Sequence, residues 1–386
     1  MIPLNKPVLP DATSPAIGKC INSGWLGYGP ACRSLENRFT ASRNGWALAT
    51  STCTSALWLA AQLCRRTEND EVIVPAVTFV STGMAFLSAG FKVRLADVDA
   101  QTLLVTRKTV EQRLSQNTRA IVVVHLYGQR IETKALRQLC DETRLPLIED
   151  CAHRLDLLDP LPPAGDYACY SFNAVKEAPC GEGGLLWGRD LEDEHRARAI
   201  SNVGLEADTL ERSSSLRHGD YRFGTEIGLK LRLNDVLATL AGVSLDALQN
   251  TRRLRELIFA RYNQAINSCS PYAAPLIRQE IDSFLMYIIR LNGLDRDRLR
   301  QDMANDGVAT STHYPSLTEH PLLKDDADRC VTADAVSKEV LTLPCFLAIT
   351  PSQQEQVVTA LSGAIARQTG RPLSWPCEMP VVVESM

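Results

Sequence analysis

The stretch that decides the fold is Leu147-Ile148-Glu149-Asp150-Cys151-Ala152-His153, an apolar run that ends in two acidic residues. The run predicts a buried strand over residues 145–150, with Asp150 at its carboxyl end. Open α/β sheets bind their ligands beyond the carboxyl ends of parallel strands. Asp150 is therefore the first candidate for a functional residue, although a carboxylate at this position also fits a helix cap.

On both sides of this strand, short β-rich runs alternate with helical patterns. The elements predicted around it are strands over residues 71–74, 93–95 and 120–125 and helices over residues 54–66 and 133–143. This alternation is typical of a mainly parallel sheet with crossover helices, and continuous apolar runs suit strands buried on both faces. We therefore expect an α/β protein whose large domain is a mainly parallel, mixed sheet flanked by helices.

A long amphipathic helix predicted from residue 245 marks the start of a second, smaller domain, because its apolar residues recur about every four positions. Beyond it, the pattern predicts strands and helices over residues 284–292, 295–305, 308–313, 341–343 and 352–367. We expect three parts in the chain. They are an N-terminal arm with the large domain at 1–245, the linking helix with a small α+β domain at 246–367, and a tail at 368–386.

The composition is that of an ordinary globular chain. Its 386 residues include 41 Lys and Arg against 45 Asp and Glu, a net charge of −4, and 45% are hydrophobic. A slightly acidic chain without a Lys/Arg block disfavours nucleic acid or an anionic membrane as a partner. A charge-free run at residues 72–91 reaches the length of a membrane span, but its proline, glycine and hydroxyl residues suit a strand and a loop. We expect no membrane partner.

The chain contains 12 cysteines, and no two of them are separated by only two residues. A zinc or redox CxxC pattern is therefore missing from the sequence, and we predict no metal site. The first six residues lack the apolar segment of a signal peptide. We therefore expect a cytoplasmic protein whose cysteines are mostly free thiols.

Three further features complement Asp150. Residues 51–56 place hydroxyl groups and free N–H groups at a helix start, which suits a phosphate or a simple N-cap. Lys176 lies among small and apolar residues before a glycine turn at 181–184, so it fits a Schiff-base nucleophile or an ordinary surface charge. Phe79 follows a strand and fits a ring stacked on a heterocycle or a core residue. Pyridoxal phosphate requires this combination of anion cradle, stacking ring, carboxylate and lysine.

The order of these features resembles the DegT/DnrJ/EryC1/StrS sugar aminotransferases, a family of fold-type-I enzymes that depend on pyridoxal 5′-phosphate. The resemblance runs from about residue 2 to residue 368. The segments that carry it are residues 23–30, 74–79, 124–129, 149–153, 171–176, 181–184 and 312–315. The resemblance implies a fold-type-I transferase that uses the cofactor in its pyridoxal and pyridoxamine forms.

The resemblance also implies roles for individual residues. Lys176 matches the catalytic lysine that binds the cofactor as a Schiff base and moves protons, and Asp150 matches the partner of the pyridinium nitrogen. His153 falls near the cofactor's ring oxygen, and Phe79 falls where an aromatic ring stacks on the cofactor.

The implied phosphate cradle consists of Thr52, Cys53, Thr54 and Ser171. Cys53 departs from the small glycine or alanine that is usual there. Lys230 stands where many members have asparagine, in a segment that in the family reaches the cofactor phosphate or the substrate of the neighbouring subunit. His313 and Tyr314 match positions that face the sugar substrate.

The implied activity is transfer of an amino group from glutamate or glutamine to a keto sugar, by a homodimer with shared active sites. The expected acceptor is a nucleotide-linked 3- or 4-keto-deoxysugar of polysaccharide or antibiotic biosynthesis. The alternatives are a keto-cyclitol aminotransferase of an aminoglycoside-type pathway and a pyridoxamine-dependent sugar dehydratase. Dehydratases of the family replace the lysine with histidine, so Lys176 argues against that alternative. The remaining alternative is a regulator that binds the cofactor but catalyses no reaction.

Overall fold

The computed structural model describes residues 1–41, 43–158, 163–207, 210, 212, 221–267, 271–276, 280–281, 283–324 and 329–371. Of the tail predicted at 368–386, residues 372–386 lie outside this part of the chain. Among the described residues, the helices are all too short or too polar to cross a membrane. The ten cysteines within the described residues are free thiols, as the sequence predicted for most of them.

The strands, in chain order, are β1 (Trp46–Thr50), β2 (Glu71–Pro75), β3 (Lys92–Ala96), β4 (Thr118–Val124), β5 (Gln129–Arg130), β6 (Leu147–Cys151), β7 (Tyr167–Ser171), β8 (Gly184–Gly188), β9 (Ala273–Pro275), β10 (Glu280–Ile281), β11 (Tyr287–Leu291) and β12 (Val340–Leu343). Seven of them form one large sheet in the order β1-β8-β7-β6-β4-β2-β3. A three-stranded antiparallel sheet has the order β12-β11-β9, and β5 pairs with β10.

The helices, in chain order, are α1 (Thr13–Asn22), α2 (Pro30–Thr40), α3 (Cys53–Cys64), α4 (Val80–Ser88), α5 (Arg107–Glu111), α6 (Lys134–Thr143), α7 (Glu192–Ile200), α8 (Asp235–Asp246), α9 (Leu248–Asn267), α10 (Arg296–Asn305), α11 (Val331–Val336) and α12 (Pro351–Thr369). Short 3₁₀ turns occur at Leu126–Gly128 and Leu317–Glu319. Thr52 caps α3, and Thr350 caps α12, where Pro351 takes the first turn.

The large sheet is mixed, as the sequence predicted. From β7 to β3 all neighbouring strands are parallel, whereas β8 is antiparallel to both β1 and β7. Every residue of β1, β2, β6, β7 and β8 is buried. Both faces of the sheet are therefore covered, which explains the continuous apolar runs in the sequence.

The register aligns the strand ends that surround the site. Gly184 opens β8 and pairs with Thr50 at the end of β1 and with Ser171 at the end of β7. The next strand across is β6, in which Asp150 pairs with Cys169. The ends of three strands and the start of a fourth therefore meet at one edge of the sheet.

The C-terminal elements build a second core. Tyr262 of α9, Tyr287 of β11, Leu299 of α10 and Leu361 of α12 are buried in one cluster with the three-stranded sheet. The predicted strand over residues 308–313 is wrong, because Val308 and Ser311 form only isolated bridges and no described strand pairs with the segment continuously. The domain boundaries at residues 245 and 367 stay predictions.

A close backbone approach at Gly184 predicts a stability effect. A Cβ atom there would lie 2.4 Å from the Cys53 nitrogen, so Gly184→Ala forces β8 away from the start of α3. We expect a loss of about 2 kcal/mol or more, the range for overpacking. In Gly242→Ala, within α8, the added Cβ meets no atom within 4 Å, and helix propensity alone should stabilise by about 0.5–1 kcal/mol.

Urea midpoints of the two variants and the parent chain, measured side by side, check this expectation. Equal midpoints for Gly184→Ala and the parent would show that the edge of the sheet tolerates the extra methyl group.

Candidate active site

A cavity of about 380 Å³ opens at the edge where the strand ends meet. All of the predicted site residues except Lys230 line it. They are Thr52, Cys53, Thr54, Phe79, Asp150, His153, Ser171, Lys176, His313 and Tyr314. His313 and Tyr314 reach the cavity from the segment after α10, which is bridged to β12 at Ser311, and Tyr314 packs against the core of the large sheet. The volume suits a small molecule the size of a cofactor.

The carboxylate of Asp150 is buried at the end of β6. Its Oδ2 accepts a hydrogen bond from the Thr82 hydroxyl at 2.8 Å, and its Oδ1 accepts one from the Ala152 N–H at 3.0 Å. Burial raises the pKa of Asp150 above its ordinary value, against the lowering effect of these hydrogen bonds and of the Lys176 charge. A bound cation at this position would compensate the buried negative charge.

Lys176 lies in the loop between β7 and β8. Backbone hydrogen bonds within this loop hold its two ends together. The Phe172 N–H donates to Gly183 O at 2.9 Å, the Ala174 N–H donates to Gly181 O at 2.8 Å, and Gly181 has φ +97°. Within the described residues, the Lys176 ammonium forms no hydrogen bond or ion pair. Burial lowers the pKa of Lys176 to about 8, although Cys53 and Asp150 act in the opposite direction.

Glu177, the residue after Lys176, anchors this loop. The Glu177 carboxylate accepts hydrogen bonds from the Leu155 N–H at 3.1 Å and from Arg252 Nε at 2.9 Å. Glu177 is buried, and its ion pair with Arg252 of α9 is largely shielded from solvent. The lysine therefore projects from a loop that is fixed on both sides.

The start of α3 presents backbone donors to the cavity. The Thr52 side chain accepts from the Ser55 N–H at 3.0 Å, whereas in the described structure the N–H groups of Cys53 and Thr54 have no acceptor. Ser171, at the end of β7, lines the same cavity. Free N–H groups at a helix start bind anions.

Cys53 and Phe79 both line the cavity. The Cys53 thiol lies 4.0 Å from Asp150 Oδ1 and 3.6 Å from the Cys169 carbonyl oxygen, and burial raises its pKa well above the ordinary value. Phe79 is 52% exposed, and its ring centroid lies 5.7 Å from that of Tyr314. An exposed ring in a cavity wall is available for stacking, so Phe79 is not an ordinary core residue.

The two histidines of the cavity are uncharged at neutral pH. Burial, together with the Lys176 charge, lowers the pKa of His313 to about 4 and that of His153 well below its usual range. His313 Nδ1 shares a hydrogen bond of 2.7 Å with the Thr342 hydroxyl of β12.

Lys230 is the predicted site residue that does not line this cavity. It is exposed, its ammonium donates to Asn202 Oδ1 at 3.0 Å, and it lines a different cavity with Trp25, Tyr28 and Arg232. Within one chain, Lys230 therefore has no contact with the site.

Several residues of the site were missed from the sequence. Thr82 holds Asp150, Tyr127 donates to His153, and Asn173 and Glu182 line the cavity next to the lysine loop. Thr78 and Thr82 stand four residues apart, and their hydroxyls lie 2.9 Å from each other. Thr78 lies before α4, which begins at Val80, and nothing in the sequence linked Thr82 to Asp150, 68 residues away.

Residues 10–362 match the sequence model of the DegT/DnrJ/EryC1/StrS aminotransferase family. The chain belongs to this family. This confirms the family that the sequence resembled and the predicted fold class. It also confirms the prediction of a pyridoxal phosphate-dependent aminotransferase.

Individual relatives agree over nearly their whole length. The chain is 30% identical over 376 residues to a dTDP-4-dehydro-2,3,6-trideoxy-D-glucose 4-aminotransferase of Saccharopolyspora spinosa, covering 95% of this chain and 97% of that protein. Among solved structures, it is 27% identical to the aminotransferase TlmJ of Streptoalloteichus hindustanus, with a TM-score of 0.84 and coverage of 95% and 99%. AtS13 of Actinomadura melliaura is 28% identical, with a TM-score of 0.83 and coverage of 94% and 98%.

The residues of this aminotransferase fit pyridoxal phosphate. The fit rests on three observations among the described residues: the buried carboxylate of Asp150, which forms no ion pair, the amine of Lys176, which has no hydrogen-bond partner, and the N–H groups at the start of α3, which have no acceptor. Each matches one charged or reactive group of the cofactor, namely its pyridinium nitrogen, its aldehyde carbon and its phosphate.

The lowered pKa of Lys176 predicts how fast the protein without cofactor forms its bond with pyridoxal phosphate. Only the neutral amine is nucleophilic, and with a pKa of about 8 half of Lys176 is neutral at pH 8. The formation rate of the lysine-bound cofactor, followed by visible absorbance, should rise between pH 7 and 9 and then level off. A rate that still climbs above pH 10 would contradict a depressed pKa.

Proposed function

We propose that this aminotransferase transfers an amino group from glutamate or glutamine to the carbonyl carbon of a keto sugar. The observation that carries the proposal is that one cavity holds both the buried carboxylate of Asp150 and the amine of Lys176, which has no hydrogen-bond partner among the described residues. The cofactor, when bound, withdraws electrons from the carbon that loses its proton.

The proposed roles of the chain's own residues follow from their positions. Asp150 holds the proton of the ring nitrogen, because its buried carboxylate is stabilised by a positive neighbour. Lys176 binds the cofactor and then, as a free amine, takes a proton from one carbon and returns it to another. With a pKa of about 8, its neutral and charged forms are both populated near neutral pH, which both steps require.

The remaining proposed contacts hold the cofactor in place. The N–H groups of Cys53 and Thr54, with the hydroxyls of Thr52, Thr54 and Ser171, bind the phosphate, and Phe79 packs on the ring. His153 lies at the edge of the ring, and His313 and Tyr314 face the substrate. Neutral imidazoles at these positions suit contacts with a polar, uncharged sugar.

The sugar acceptor is supported by the relatives. The curated relative from Saccharopolyspora spinosa acts, by its name, on a dTDP-linked 4-keto-deoxysugar. We propose a nucleotide-linked 3- or 4-keto-deoxysugar for this chain, with a keto-cyclitol as the alternative acceptor. Lys176 argues against the dehydratase alternative, since it occupies the cavity where those enzymes carry histidine.

We also propose a homodimer with shared active sites. Large apolar side chains are exposed close to Lys230 in the sequence, among them Phe223 at 80% and Ile227 at 92%. Apolar surface exposed in this segment is consistent with contact with a partner subunit. The cavity that Lys230 lines with Arg232 carries cationic side chains that suit a phosphate of the partner's site.

Replacement of the lysine tests the proposed role directly. Lys176→Ala removes the amine, so the protein should lose the visible absorbance of the lysine-bound cofactor at roughly 400–430 nm and all transamination. Lys134→Ala serves as the matched control, because it removes an exposed lysine of α6 that does not line the cavity, and it should keep the band. Survival of the band in Lys176→Ala would refute the assignment.

Replacement of the Asp150 carboxylate should give a different experimental result. Asp150→Asn keeps Lys176 and therefore the bond to the cofactor, but it removes the negative charge that stabilises a protonated ring nitrogen. We expect a visible band and a fall in kcat of about a hundredfold or more, consistent with loss of about 3 kcal/mol of charge stabilisation. Single-turnover measurements with glutamate check it, and an unchanged rate would contradict the role.

The acceptor is identified by a substrate panel. Pyridoxamine-loaded enzyme is mixed with nucleotide-linked 3-keto and 4-keto sugars and with keto-cyclitols, and products are analysed by mass spectrometry. Amination of a nucleotide-linked keto sugar with the highest kcat/KM is the expected result. Preference for a keto-cyclitol would establish the alternative, and loss of water from the substrate without amination would indicate a dehydratase.

A further inference from the structure

A chain of hydrogen bonds leads from Tyr127 through His153 to Tyr314. Tyr127 is fully buried and has a left-handed backbone with φ +61°. Its backbone N–H donates to His153 Nδ1 at 3.2 Å, and its hydroxyl donates to the His313 carbonyl oxygen. Tyr127 therefore fixes both the imidazole and the backbone next to Tyr314.

This contact decides which ring nitrogen of His153 carries the hydrogen. An N–H can only donate, so Nδ1 is an acceptor and has no hydrogen of its own. His153 is neutral, because burial and the charge of Lys176 lower its pKa. The hydrogen is therefore on Nε2, which lies 3.0 Å from the Tyr314 hydroxyl oxygen. His153 donates to Tyr314, and both of its nitrogens are occupied within the chain.

The Tyr314 hydroxyl can consequently donate a hydrogen bond to another group. Its oxygen accepts from His153, and its ring is stacked on the imidazole with centroids 5.8 Å apart. In the part of the chain that the structure describes, no other group accepts a hydrogen bond from its hydroxyl. Burial raises the pKa of Tyr314, so the hydroxyl stays protonated, and the residue lines the cavity.

We propose that Tyr314 is the hydrogen-bond donor to the phenolic ring oxygen of the cofactor, and that His153 and Tyr127 are positioning residues that act through Tyr314. The inference rests on the proposed function. Asp150, Lys176 and the phosphate cradle account for the ring nitrogen, the aldehyde carbon and the phosphate. The phenolic oxygen is the polar group of the cofactor that is left, and a partly anionic oxygen needs a donor.

His153 cannot provide this donor without breaking its bond to Tyr314, because its other nitrogen is held by the Tyr127 N–H. The resemblance implied that His153 itself lies near the ring oxygen. The geometry instead interposes a tyrosine, whose position depends on the histidine. Removal of either residue should therefore have the same consequence.

The test is the pH titration of the visible absorbance of the Lys176-bound cofactor. A donor stabilises negative charge on the ring oxygen and so lowers the pKa of the proton that this oxygen shares with the lysine nitrogen. In Tyr314→Phe we expect that pKa to rise by about one to two units, the size of a lost hydrogen bond to a charged group. His153→Leu should shift it in the same direction.

The double variant separates direct contact from positioning. If His153 acts through Tyr314, His153→Leu combined with Tyr314→Phe should titrate like Tyr314→Phe alone. His153→Gln should restore the parent value, because its amide can accept from the Tyr127 N–H and donate to Tyr314. Tyr287→Phe removes a hydroxyl that bonds Asn263 outside the cavity, and its titration should not change.

A second readout needs no cofactor. ¹⁵N NMR of the imidazoles in the protein without cofactor should show His153 neutral at pH 6.5 with its hydrogen on Nε2. Hydrogen on Nδ1, additive shifts in the double variant, or an unshifted titration in Tyr314→Phe would each overturn the inference. Parent protein that binds no pyridoxal phosphate would instead overturn the proposed function, so the two failures are distinguishable.

Discussion

The site depends on one reversed strand in an otherwise parallel neighbourhood. Because β8 is antiparallel to β1 and β7, the loop between β7 and β8 returns to the edge where β6 and β7 end. Lys176 lies in that loop, so it is placed opposite Asp150 instead of at the far end of the sheet. The same reversal puts Gly184 against the start of α3, where only a residue without a Cβ atom fits.

The cavity is electrostatically incomplete in the chain alone. In the part of the chain that the structure describes, it combines a buried carboxylate, a lysine without a hydrogen-bond partner and backbone donors without acceptors, each of which costs free energy unless a ligand compensates it. The two histidines add no charge, because burial beside Lys176 keeps them neutral. A ligand that is cationic at one end, anionic at the other and reactive towards an amine balances all three groups. Pyridoxal phosphate has this distribution.

The cavity walls come from distant parts of the chain. Tyr127 follows β4, His153 follows β6, and Tyr314 lies beyond α10 in the segment that Ser311 bridges to β12, yet hydrogen bonds connect them. The geometry of the cavity therefore depends on residues that are far apart in the sequence. Thr342 on β12, which bonds His313, extends this connection into the small sheet.

Much of the fold was predictable, because hydrophobic patterns within short segments indicate strands and helices. The apolar runs of β2, β4 and β6 and the amphipathic pattern of α9 gave strands and a helix at nearly their observed bounds. Strands β1, β7 and β8 were missed, since short runs interrupted by small residues carry little periodicity. Residues 308–313 were wrongly predicted as a strand, because their β-rich composition does not reveal that a pairing partner is missing.

For the site, sequence by itself determined the residue types, their order and the family. It identified Lys176 and Asp150 because their local surroundings are unusual for charged residues. Only the tertiary structure decided that Thr82 holds Asp150, that Lys230 lies outside the chain's own cavity, and that both nitrogens of His153 are already bonded. The physical reason is that these facts depend on distances between residues far apart in the chain. Strand register and the direction of β8 set those distances, and local sequence patterns do not encode them.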